Sequence, residues 1–457
     1  MAGIAGLVIS GKEEDPEFLL QKMSEAIRHR RIESYHTFNQ GHSRCLIVGP
    51  RSFQGTDDEV IILDTNRDLD FIENPSDVTS ITGIFAAVAV IIGDRGVSLI
   101  RTLDGTRPMY YGISQNKFAF ASERKSLWNI KILSARTLEP GQGLTYSWEG
   151  ELVVENFAAL EKPIKTEETQ ERILNRLKES LETSFERLRK KTYCAILFSG
   201  GVDSSLVAHL ASKRCENAIL ISTRAEQARD KTAAVKASEM LGLPLFEVEL
   251  NSKIIWENLP KLIYAIETSR QMDVEIALPF HLAAQRAEQE GCSTVISGQG
   301  PDELFGGYAR HVKLYVEKGP EFLMEQLWND VRITHEANIE RDERAIAAHG
   351  VDSFFPYLDQ EFARFALSIP AELKVNPDGK PQRKVIFREL AKNMGVPSEI
   401  VNAPKDATQY SSGSSKLLKD AMIDNVDEFR SLSKKKVAAK VQNVLDEIAL
   451  DVGIPVD

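Results

Sequence analysis

The stretch "LFSGGVDSSLV", residues 197 to 207, decides the fold of the larger part of this chain. An apolar run ends at Ser199, two glycines permit a tight turn, and Asp203, Ser204 and Ser205 open a segment typical of a helix. Such a turn directs unpaired backbone N–H groups, the helix dipole and serine hydroxyls at one point, which is how proteins hold phosphate. A lone glycine pair before serine is more often a plain strand-to-helix turn. The full seven-residue order is more specific and predicts a phosphate-binding loop.

The segments around this loop indicate a parallel α/β sheet. Three short apolar runs, "CAILFSGG", "NAILIST" and "STVISGQG", alternate with helical segments such as "SSLVAHLASK" and "DKTAAVKASEMLG". An amphipathic helix, "ERILNRLKESLETSFERLRKK", precedes them, and the remainder is mainly helical. The closing "KKKVAAKVQNVLDEIAL" predicts a surface helix whose leading lysines are solvated.

The first third of the chain has a different pattern. Short apolar runs fill residues 4 to 157, separated by turn signals such as "GDRG" (93 to 96) and "WEG" (148 to 150). One early segment, "DPEFLLQKMSEAIRHRR", has helical spacing, so this part reads as sheet-rich α+β. The charged stretch "LEKPIKTEETQ" (160 to 170) follows, which predicts two domains, residues 1–160 and 170–457.

Composition restricts the class of protein. Hydrophobic residues make up 42% and charged residues 27% of 457 residues, as in ordinary soluble enzymes. The net charge of −11 argues against a nucleic-acid partner, because phosphate-backbone binders need a basic face. No apolar run approaches the roughly 20 residues that span a bilayer, so we expect no membrane partner and a cytoplasmic location. Four well-separated cysteines predict neither a disulfide nor a thiolate metal site, and hence a reducing interior: Cys45, Cys194, Cys215 and Cys292.

A second glycine-rich turn carries acidic residues. In "VISGQGPDELFGGYARH" (295 to 311) an apolar run leads into such a turn. Asp203 and Asp302 can each offer an oxygen to Mg²⁺, which proteins usually hold by one or two carboxylates plus substrate phosphates. An acidic pair in a turn is more often a cap or a solvated bend, but beside the first loop the metal-binding interpretation is favoured. The chain lacks the lysine of the GxxxxGK(S/T) loop, which disfavours γ-phosphate transfer.

The motif "SGGVDSS" resembles the SGGxDS signature of ATP pyrophosphatases, which cleave ATP between the α and β phosphates. With "AAHGVDSFFPYLDQEFARFAL" (347 to 367) and "APKDATQYSSG" (403 to 413), it resembles the synthetase domain of the asparagine synthetase family over roughly residues 170 to 420. The resemblance implies an α/β parallel-sheet ATP pyrophosphatase domain (adenine nucleotide alpha hydrolase-like) with a helical C-terminal part. It also implies ATP and Mg²⁺ as cofactors.

The resemblance carries roles onto individual residues. The residues implied to hold the pyrophosphate portion of ATP are Ser199, Gly200, Gly201, Asp203, Ser204 and Ser205. Those implied to line the nucleoside pocket are Leu197, Ile221, Ser297 and Gly298, and the metal ligands are Asp203 and Asp302. The implied catalytic residues are Lys405, Gln299 and Asp203, with Lys405 placed on the phosphates, where its charge offsets that of the leaving pyrophosphate. Without the surrounding motif, Lys405 would be read as a loop lysine in water.

In this family the N-terminal domain is a class II glutamine amidotransferase, and "IFAAVAVIIGDRGVSLIRTLDGTRPMYYG" resembles its second half. An α+β Ntn-hydrolase-like sandwich is therefore implied. Its chemistry needs a cysteine directly after the initiator methionine, where this chain has Ala2. Where the family has the segment RHRGPD, this chain has "RHRRIES". The family's NGE segment, which binds glutamine, has no counterpart between residues 45 and 85. These joint losses favour a naturally degenerate domain over an engineered one, and Cys45, inside an apolar strand, is a core residue and no substitute nucleophile.

Two departures bear on the substrate. Where asparagine synthetases carry SGEG, this chain has Gln299, whose amide can orient an amine but cannot take its proton. Phe354 replaces an arginine in the HGVEVRVPFLD segment. The charged strip Arg341, Asp342, Glu343 and Arg344 either faces the acyl site or is a salt-bridged helix surface. Aspartate is therefore not assumed as the substrate.

These observations favour an ATP-dependent synthetase that adenylates a small-molecule carboxylate and passes it to ammonia or another amine without using glutamine. A ring-forming relative like the β-lactam synthetases, which use the substrate's own amine, is a close variant. A tRNA-modifying adenylating enzyme and a non-catalytic scaffold are the alternatives. Paired cysteines and a basic RNA face, expected of the tRNA-modifying class, are not seen. A homodimer and a separate ammonia-supplying partner are left open.

Overall fold

A computed structural model of the chain describes residues 2–10, 15–50, 52–54, 60–65, 87–188, 192–225, 231–377, 382–403 and 413–456. The chain forms two compact units, Met1–Glu161 and Lys162–Asp457, called unit 1 and unit 2 below.

Unit 1 contains two antiparallel sheets of six strands each. The strand orders are β10-β8-β9-β1-β3-β2 and β12-β11-β7-β6-β5-β4. The strands are β1 (Ala5–Ser10), β2 (Ser34–Gln40), β3 (Ser43–Gly49), β4 (Ser52–Gln54), β5 (Val60–Thr65), β6 (Ala87–Gly93), β7 (Gly96–Arg101), β8 (Tyr110–Ser114), β9 (Lys117–Ala121), β10 (Arg136–Thr137), β11 (Gln142–Ser147) and β12 (Leu152–Asn156).

The core of unit 1 lies between the two sheets. Val8 and Ile47 of the first sheet pack with Val90 and Leu99 of the second. The predicted early helix is confirmed as α1 (Pro16–Ala26), which covers the outer face of the first sheet, and a short helix α2 (Arg124–Trp128) lies beside it. The β6–β7 and β11–β12 hairpins are confirmed. Unit 1 is thus a sandwich; its assignment as Ntn-hydrolase-like stays a prediction.

Unit 2 is built on a five-stranded parallel sheet in the order β15-β14-β13-β16-β17. The strands are β13 (Tyr193–Leu197), β14 (Asn217–Ala225), β15 (Leu245–Leu250), β16 (Thr294–Ile296) and β17 (Asp352–Phe354). Three of them were predicted, and β15 and β17 are additions. A two-stranded ribbon, β18 (Val375–Asn376) and β19 (Gln382–Arg383), lies apart from this sheet. The parallel α/β prediction is confirmed.

Helices cover this sheet and form the rest of unit 2. They are α3 (Gln170–Glu186), α4 (Val202–Arg214), α5 (Lys231–Leu241), α6 (Ser252–Ile266), α7 (Gln271–Gln289), α8 (Pro301–Leu304), α9 (Ala309–Lys318), α10 (Pro320–Thr334), α11 (Glu340–Ala347), α12 (Gln360–Ser368), α13 (Ala371–Lys374), α14 (Val385–Asn393), α15 (Ser398–Val401), α16 (Ser414–Asn425) and α17 (Lys434–Asp451). A π-helical turn, His335–Ile339, joins α10 to α11, and 3₁₀ turns occur at Pro356–Leu358 and Asp427–Ser431. Among the described residues, none of these helices is long and apolar enough to span a bilayer.

The prediction that the cysteines do not pair is wrong. Cys194 in β13 and Cys215 directly after α4 form a disulfide, with their Cα atoms 6.3 Å apart. The reason lies in the topology: α4 runs back along the sheet after β13, so the end of the helix returns to the start of the strand. Disulfides are typical of oxidising environments, which argues against the expected reducing interior. The cytoplasmic location stays a prediction.

Candidate functional site

The order of the strands places a site at one edge of the unit 2 sheet. From β13 the chain proceeds outward to β14 and β15, then returns to β16 on the other side of β13 and continues to β17. In open parallel sheets, ligands bind outside the carboxyl ends of the strands where this order reverses. Residues 198–201 follow β13 and residues 297–300 follow β16, so both glycine-rich loops lie at this reversal point.

The first loop is held in shape by its own serines. The Ser199 and Ser204 hydroxyl oxygens lie 3.2 Å apart, and the Gly201 N–H donates to Ser199 Oγ at 3.3 Å. Gly200 has a φ of +76°, and a Cβ there would lie 2.8 Å from the backbone of Ala234, so glycine is required. The loop leads directly into α4, whose first N–H groups have no partners within the helix. This geometry suits an anionic ligand.

The second loop touches the first. A Cβ added at Gly298 would lie 3.1 Å from the backbone of Asp203 and Ser204, so only glycine allows this approach without displacement. The Ser297 N–H donates to the Phe354 carbonyl at 3.0 Å, which fixes the second loop against β17. The structure therefore brings together the predicted residues of both loops.

Two carboxylates converge on one lysine. The Lys384 Nζ lies 2.9 Å from both carboxylate oxygens of Asp203 and 2.7 Å from Asp302 Oδ1. All three side chains are largely buried, so this group of charges is screened little by water. Asp203 and Asp302, predicted as metal ligands, thus meet around the Lys384 ammonium in this structure, and their carboxylate oxygens are the donor type that Mg²⁺ prefers.

Sequence reasoning missed Lys384. Its backbone lies in the left-handed region (φ +57°), a conformation that costs a non-glycine residue about 1–3 kcal/mol and is typical of functional positions. A sequence signal existed in the "FGG" that follows Asp302. A Cβ at Gly307 would overlap both the Asp302 carboxylate and the Lys384 side chain, so this glycine makes room for the ion pair.

Tyr357 is a second residue that the sequence did not reveal as part of the site. It is fully buried, and its hydroxyl donates to the Asp203 carbonyl oxygen at 2.9 Å. Burial raises the pKa of this phenol, so it stays a neutral donor. Tyr357 therefore fixes the backbone of the first loop from the segment that follows β17.

Glu303, next to Asp302, is held in a hydrogen-bonded pocket. The Tyr308 hydroxyl donates to Glu303 Oε1 at 2.6 Å. Burial, assisted by the neighbouring charge of Asp302, raises the pKa of Glu303 to about 7. Through Tyr308, Glu303 is anchored to the segment that follows the second loop.

Gln299 points to a buried acid. Its Nε2 donates to Asp342 Oδ2 at 2.9 Å, and Asp342 Oδ1 accepts from Arg341 Nε at 2.8 Å. Burial raises the pKa of Asp342, and these donors act in the opposite direction. Arg341 also reaches Asp273 Oδ1 at 3.4 Å.

The predicted charged strip is therefore not an exposed helix surface. Asp342 and Glu343 are fully buried, while Arg341 and Arg344 are about 95% buried. Arg344 forms ion pairs with Glu267 and Glu340. Asp342 of this strip contacts a predicted site residue, because it faces Gln299.

The remaining predicted residues lie in the sheet, in α4 or outside the described residues. Leu197 and Ile221 are neighbours in the register of β13 and β14, and Ile221 is buried. Ser205 is fully buried on α4, and its Oγ has no hydrogen-bond partner among the described residues. Phe354 is buried, and its ring packs in a T-shaped contact with that of Phe185, so it occupies the core. Lys405 lies outside the described residues.

Unit 1 retains buried charges near its first residues. Glu123 is fully buried; its Oε1 accepts from Arg30 Nε at 2.5 Å and contacts His29 at 2.8 Å, and its Oε2 pairs with Lys125. Burial alone would raise the pKa of Glu123, but the charges of His29, Lys125 and Arg30 hold it well below its usual range. Ala2 forms a bridge with the strand-like backbone at Arg31.

Cys45 is confirmed as a core residue of β3. It is fully buried, and burial raises the pKa of its thiol to about 12. The thiol is therefore protonated at neutral pH and cannot act as a nucleophile.

Comparison with known proteins places the chain in a family. The family model described as "Asparagine synthase" matches residues 176–323 and 315–451. The chain belongs to the asparagine synthase family. It is an asparagine synthetase-like ligase, and the resemblance to this family inferred from the sequence is confirmed.

Two relatives show the extent of this similarity. A Methanocaldococcus jannaschii protein named as a glutamine-hydrolysing asparagine synthetase is 32% identical over 395 residues, covering 75% of this chain and 73% of the relative. The glutamine-hydrolysing asparagine synthetase of Rattus norvegicus is 27% identical over 387 residues, 77% of this chain and 68% of that enzyme. Among solved structures, the NMN synthetase of Francisella tularensis shares 14% identity at a TM-score of 0.30, covering 64% of this chain and 98% of that one; so low a score adds nothing to the assignment.

Proposed function

We infer that this asparagine synthase family member is an ATP-dependent, AMP-forming synthetase that joins a small-molecule carboxylate to ammonia or another amine without hydrolysing glutamine. The observation that carries this function is the meeting of both glycine-rich loops at the reversal point of the sheet, with Asp203 and Asp302 within 3 Å of one cation. The substrate acid remains open, and aspartate is one member of the class.

The first loop and the start of α4 are suited to hold the phosphates of ATP. Ser199 and Ser204 present hydroxyl groups, and the N-terminus of α4 offers unpaired N–H groups. Asp203 and Asp302 would hold Mg²⁺, which neutralises phosphate charge when bound. Lys384 adds a fixed positive charge beside these carboxylates, and Lys405 is the second expected cation. Together these groups oppose the negative charge that builds up as pyrophosphate leaves.

The proposed reaction has two steps. An oxygen of the carboxylate attacks the α-phosphorus, the bond from that phosphorus to the bridging oxygen breaks, and pyrophosphate leaves with the bonding pair. In the second step the amine nitrogen attacks the acyl carbon, the bond from carbon to the phosphate oxygen breaks, and AMP leaves. The surplus proton on nitrogen passes to water, because the Gln299 amide cannot take it.

Two residues support the absence of glutamine hydrolysis. Ala2 carries a methyl group where a thiolate would have to attack the glutamine amide. Cys45, the one cysteine in the sequence of unit 1, is protonated and fully buried. The ammonia therefore comes from solution or from another protein, and such a partner, like a homodimer, remains a proposal.

Pyrophosphate release tests this function. Protein, ATP and Mg²⁺ are mixed with a panel of carboxylic acids that includes aspartate, with ammonium, with glutamine or with neither, and Asp203→Ala serves as the control. We expect one acid to support pyrophosphate release, abolished in the control, and amide formation with ammonium but not with glutamine. Release with no acid would favour a non-catalytic scaffold, and release that requires tRNA would favour the base-modifying alternative.

A further inference from the structure

The contact between Gln299 and Asp342 fixes the orientation of an amide. An ionised carboxylate only accepts hydrogen bonds, so the group of Gln299 that lies 2.9 Å from Asp342 Oδ2 must be its NH₂. Arg341 donates to the other carboxylate oxygen at 2.8 Å, which favours the ionised form. The Gln299 side chain is only partly buried, and no described residue donates to its Oε1. The carbonyl oxygen is thus the atom left to meet a ligand.

The backbone of the long helix supports this arrangement. Arg341 and Asp342 stand directly after the π-helical turn His335–Ile339, and such turns recur at functional positions. Arg341 Nη1 donates to the Ala337 carbonyl inside that turn at 3.1 Å and reaches Asp273 Oδ1 at 3.4 Å. The π turn and the Arg341 contacts therefore hold Asp342 in place beneath the second loop.

The identities of residues 299 and 342 depend on each other. A glutamate at position 299 would place a second carboxylate about 3 Å from Asp342, where two like charges cannot both ionise without a large cost. The amide at 299 and the acid at 342 therefore form a coupled pair.

We propose that Asp342 is a positioning residue that turns the Gln299 carbonyl oxygen toward the attacking amine, an inference that rests on the proposed function. The pair then selects an N–H nucleophile for the second step. A carbonyl oxygen accepts a hydrogen bond from ammonia or an amine and repels the oxygens of a carboxylate. The pair acts on the amine and leaves the first step, formation of the acyl-adenylate, unaffected.

The two half-reactions separate this role from a structural one. Acid-dependent exchange of pyrophosphate into ATP measures the first step, and the KM for ammonium in amide formation measures the second. In Asp342→Asn, Arg341 still needs the Oδ1 of residue 342 as acceptor, so the NH₂ of that asparagine faces Gln299, binds its Oε1 and turns the Gln299 NH₂ toward the amine. We expect the KM for ammonium to rise about 10- to 100-fold, the loss for one hydrogen bond to a charged group, with exchange unchanged. Asp330→Asn, a buried acid on the same long helix that pairs with Arg310 and His311, should leave both values unchanged.

A double-mutant cycle with Gln299→Leu completes the test. Because Asp342 acts through Gln299, adding Asp342→Asn to Gln299→Leu should raise the KM for ammonium no further. Three results would overturn the proposal. They are fully additive effects of the two substitutions on the KM for ammonium, an unchanged KM for ammonium in Gln299→Leu, and an equal loss in both half-reactions of Asp342→Asn. Should Asp342→Asn not fold, Gln299→Leu alone decides by its KM. Absence of exchange in the unmodified protein would instead overturn the proposed function and the pair with it.

Discussion

Units 1 and 2 differ in what they retain of the family's chemistry. In unit 2 both glycine-rich loops, both acids and a lysine converge within hydrogen-bonding distance. Unit 1 has a two-sheet core and a fully buried Glu123 surrounded by His29, Arg30 and Lys125, and it has Ala2 where the family resemblance predicts a nucleophile. The proposed loss of glutamine hydrolysis would leave this core intact, because the groups that stabilise a core differ from those that touch a substrate.

The largest effect is expected from the buried acid of unit 1. Replacing Glu123 by Ala removes the buried carboxylate that Arg30 and Lys125 share, which should destabilise unit 1 by about 3–5 kcal/mol. Urea unfolding measures this loss, and Glu25→Ala, an exposed acid that pairs with Arg28, is the control. A change below 1 kcal/mol would show that these charges are not needed for the core of unit 1.

Next in size is the loss of a carboxylate in unit 2. Asp203→Ala removes two contacts of Lys384 and one proposed metal ligand, so pyrophosphate release should fall about 10²- to 10³-fold. The rate of pyrophosphate release at saturating ATP, measured in reactions stopped at timed intervals, gives the change. Asp451→Asn, at the exposed end of α17, is the control. Full activity in Asp203→Ala would remove the contrast between the two units.

The disulfide should stabilise the unit that carries the site. Cys194 and Cys215 close a loop that contains the whole phosphate-binding motif, and a closed loop of this size stabilises by about 3 kcal/mol. Cys215→Ser should lower the free energy of unfolding by that amount, whereas Cys292→Ser, which lies outside the bond, should not. Equal stability of the oxidised protein and the Cys215→Ser variant would contradict this.

A smaller and pH-dependent effect is expected at Lys374. Unlike Glu123, Lys374 is fully buried with no hydrogen-bond partner among the described residues, and burial lowers its pKa to about 7. Between pH 7 and the ordinary value of 10.5 the unfolded chain binds the proton that the folded chain lacks, so stability should rise with pH in this window. Lys374→Met should lose this pH dependence and should have a higher free energy of unfolding near pH 7 than the unmodified protein, as measured by urea unfolding. A pH-independent difference between the two proteins would contradict the assignment.

The smallest effect is expected from restoring the missing nucleophile. Ala2→Cys should confer no glutamine-dependent amide formation, because "RHRRIES" and the absent NGE segment leave no glutamine-binding residues. Ammonia released from glutamine measures the result, with ammonium-dependent synthesis as the internal control. Appearance of glutaminase activity would show that unit 1 lost one residue and kept its pocket.

Local patterns predicted much of the fold and part of the site. The turn glycines and apolar runs located β13, β14, β16 and α4, because a buried parallel strand needs a continuous apolar run. They missed β15, whose "LFEVEL" alternates with acids, and the three-residue β17. The disulfide was also missed, because the spacing of cysteines in sequence does not reveal that α4 returns to the start of β13.

Adjacent residues were enough to identify the family and to predict the phosphate-binding loop and the missing nucleophile at Ala2, because each depends on a contiguous stretch and the chemistry of single side chains. Which distant residues lie together in the candidate site became clear only from the folded chain. Lys384 lies 181 residues from Asp203 in sequence and Asp342 lies 43 from Gln299, and both pairs meet through the packing of buried elements. Burial then makes these charges matter, since a buried charge must find a partner while an exposed one need not.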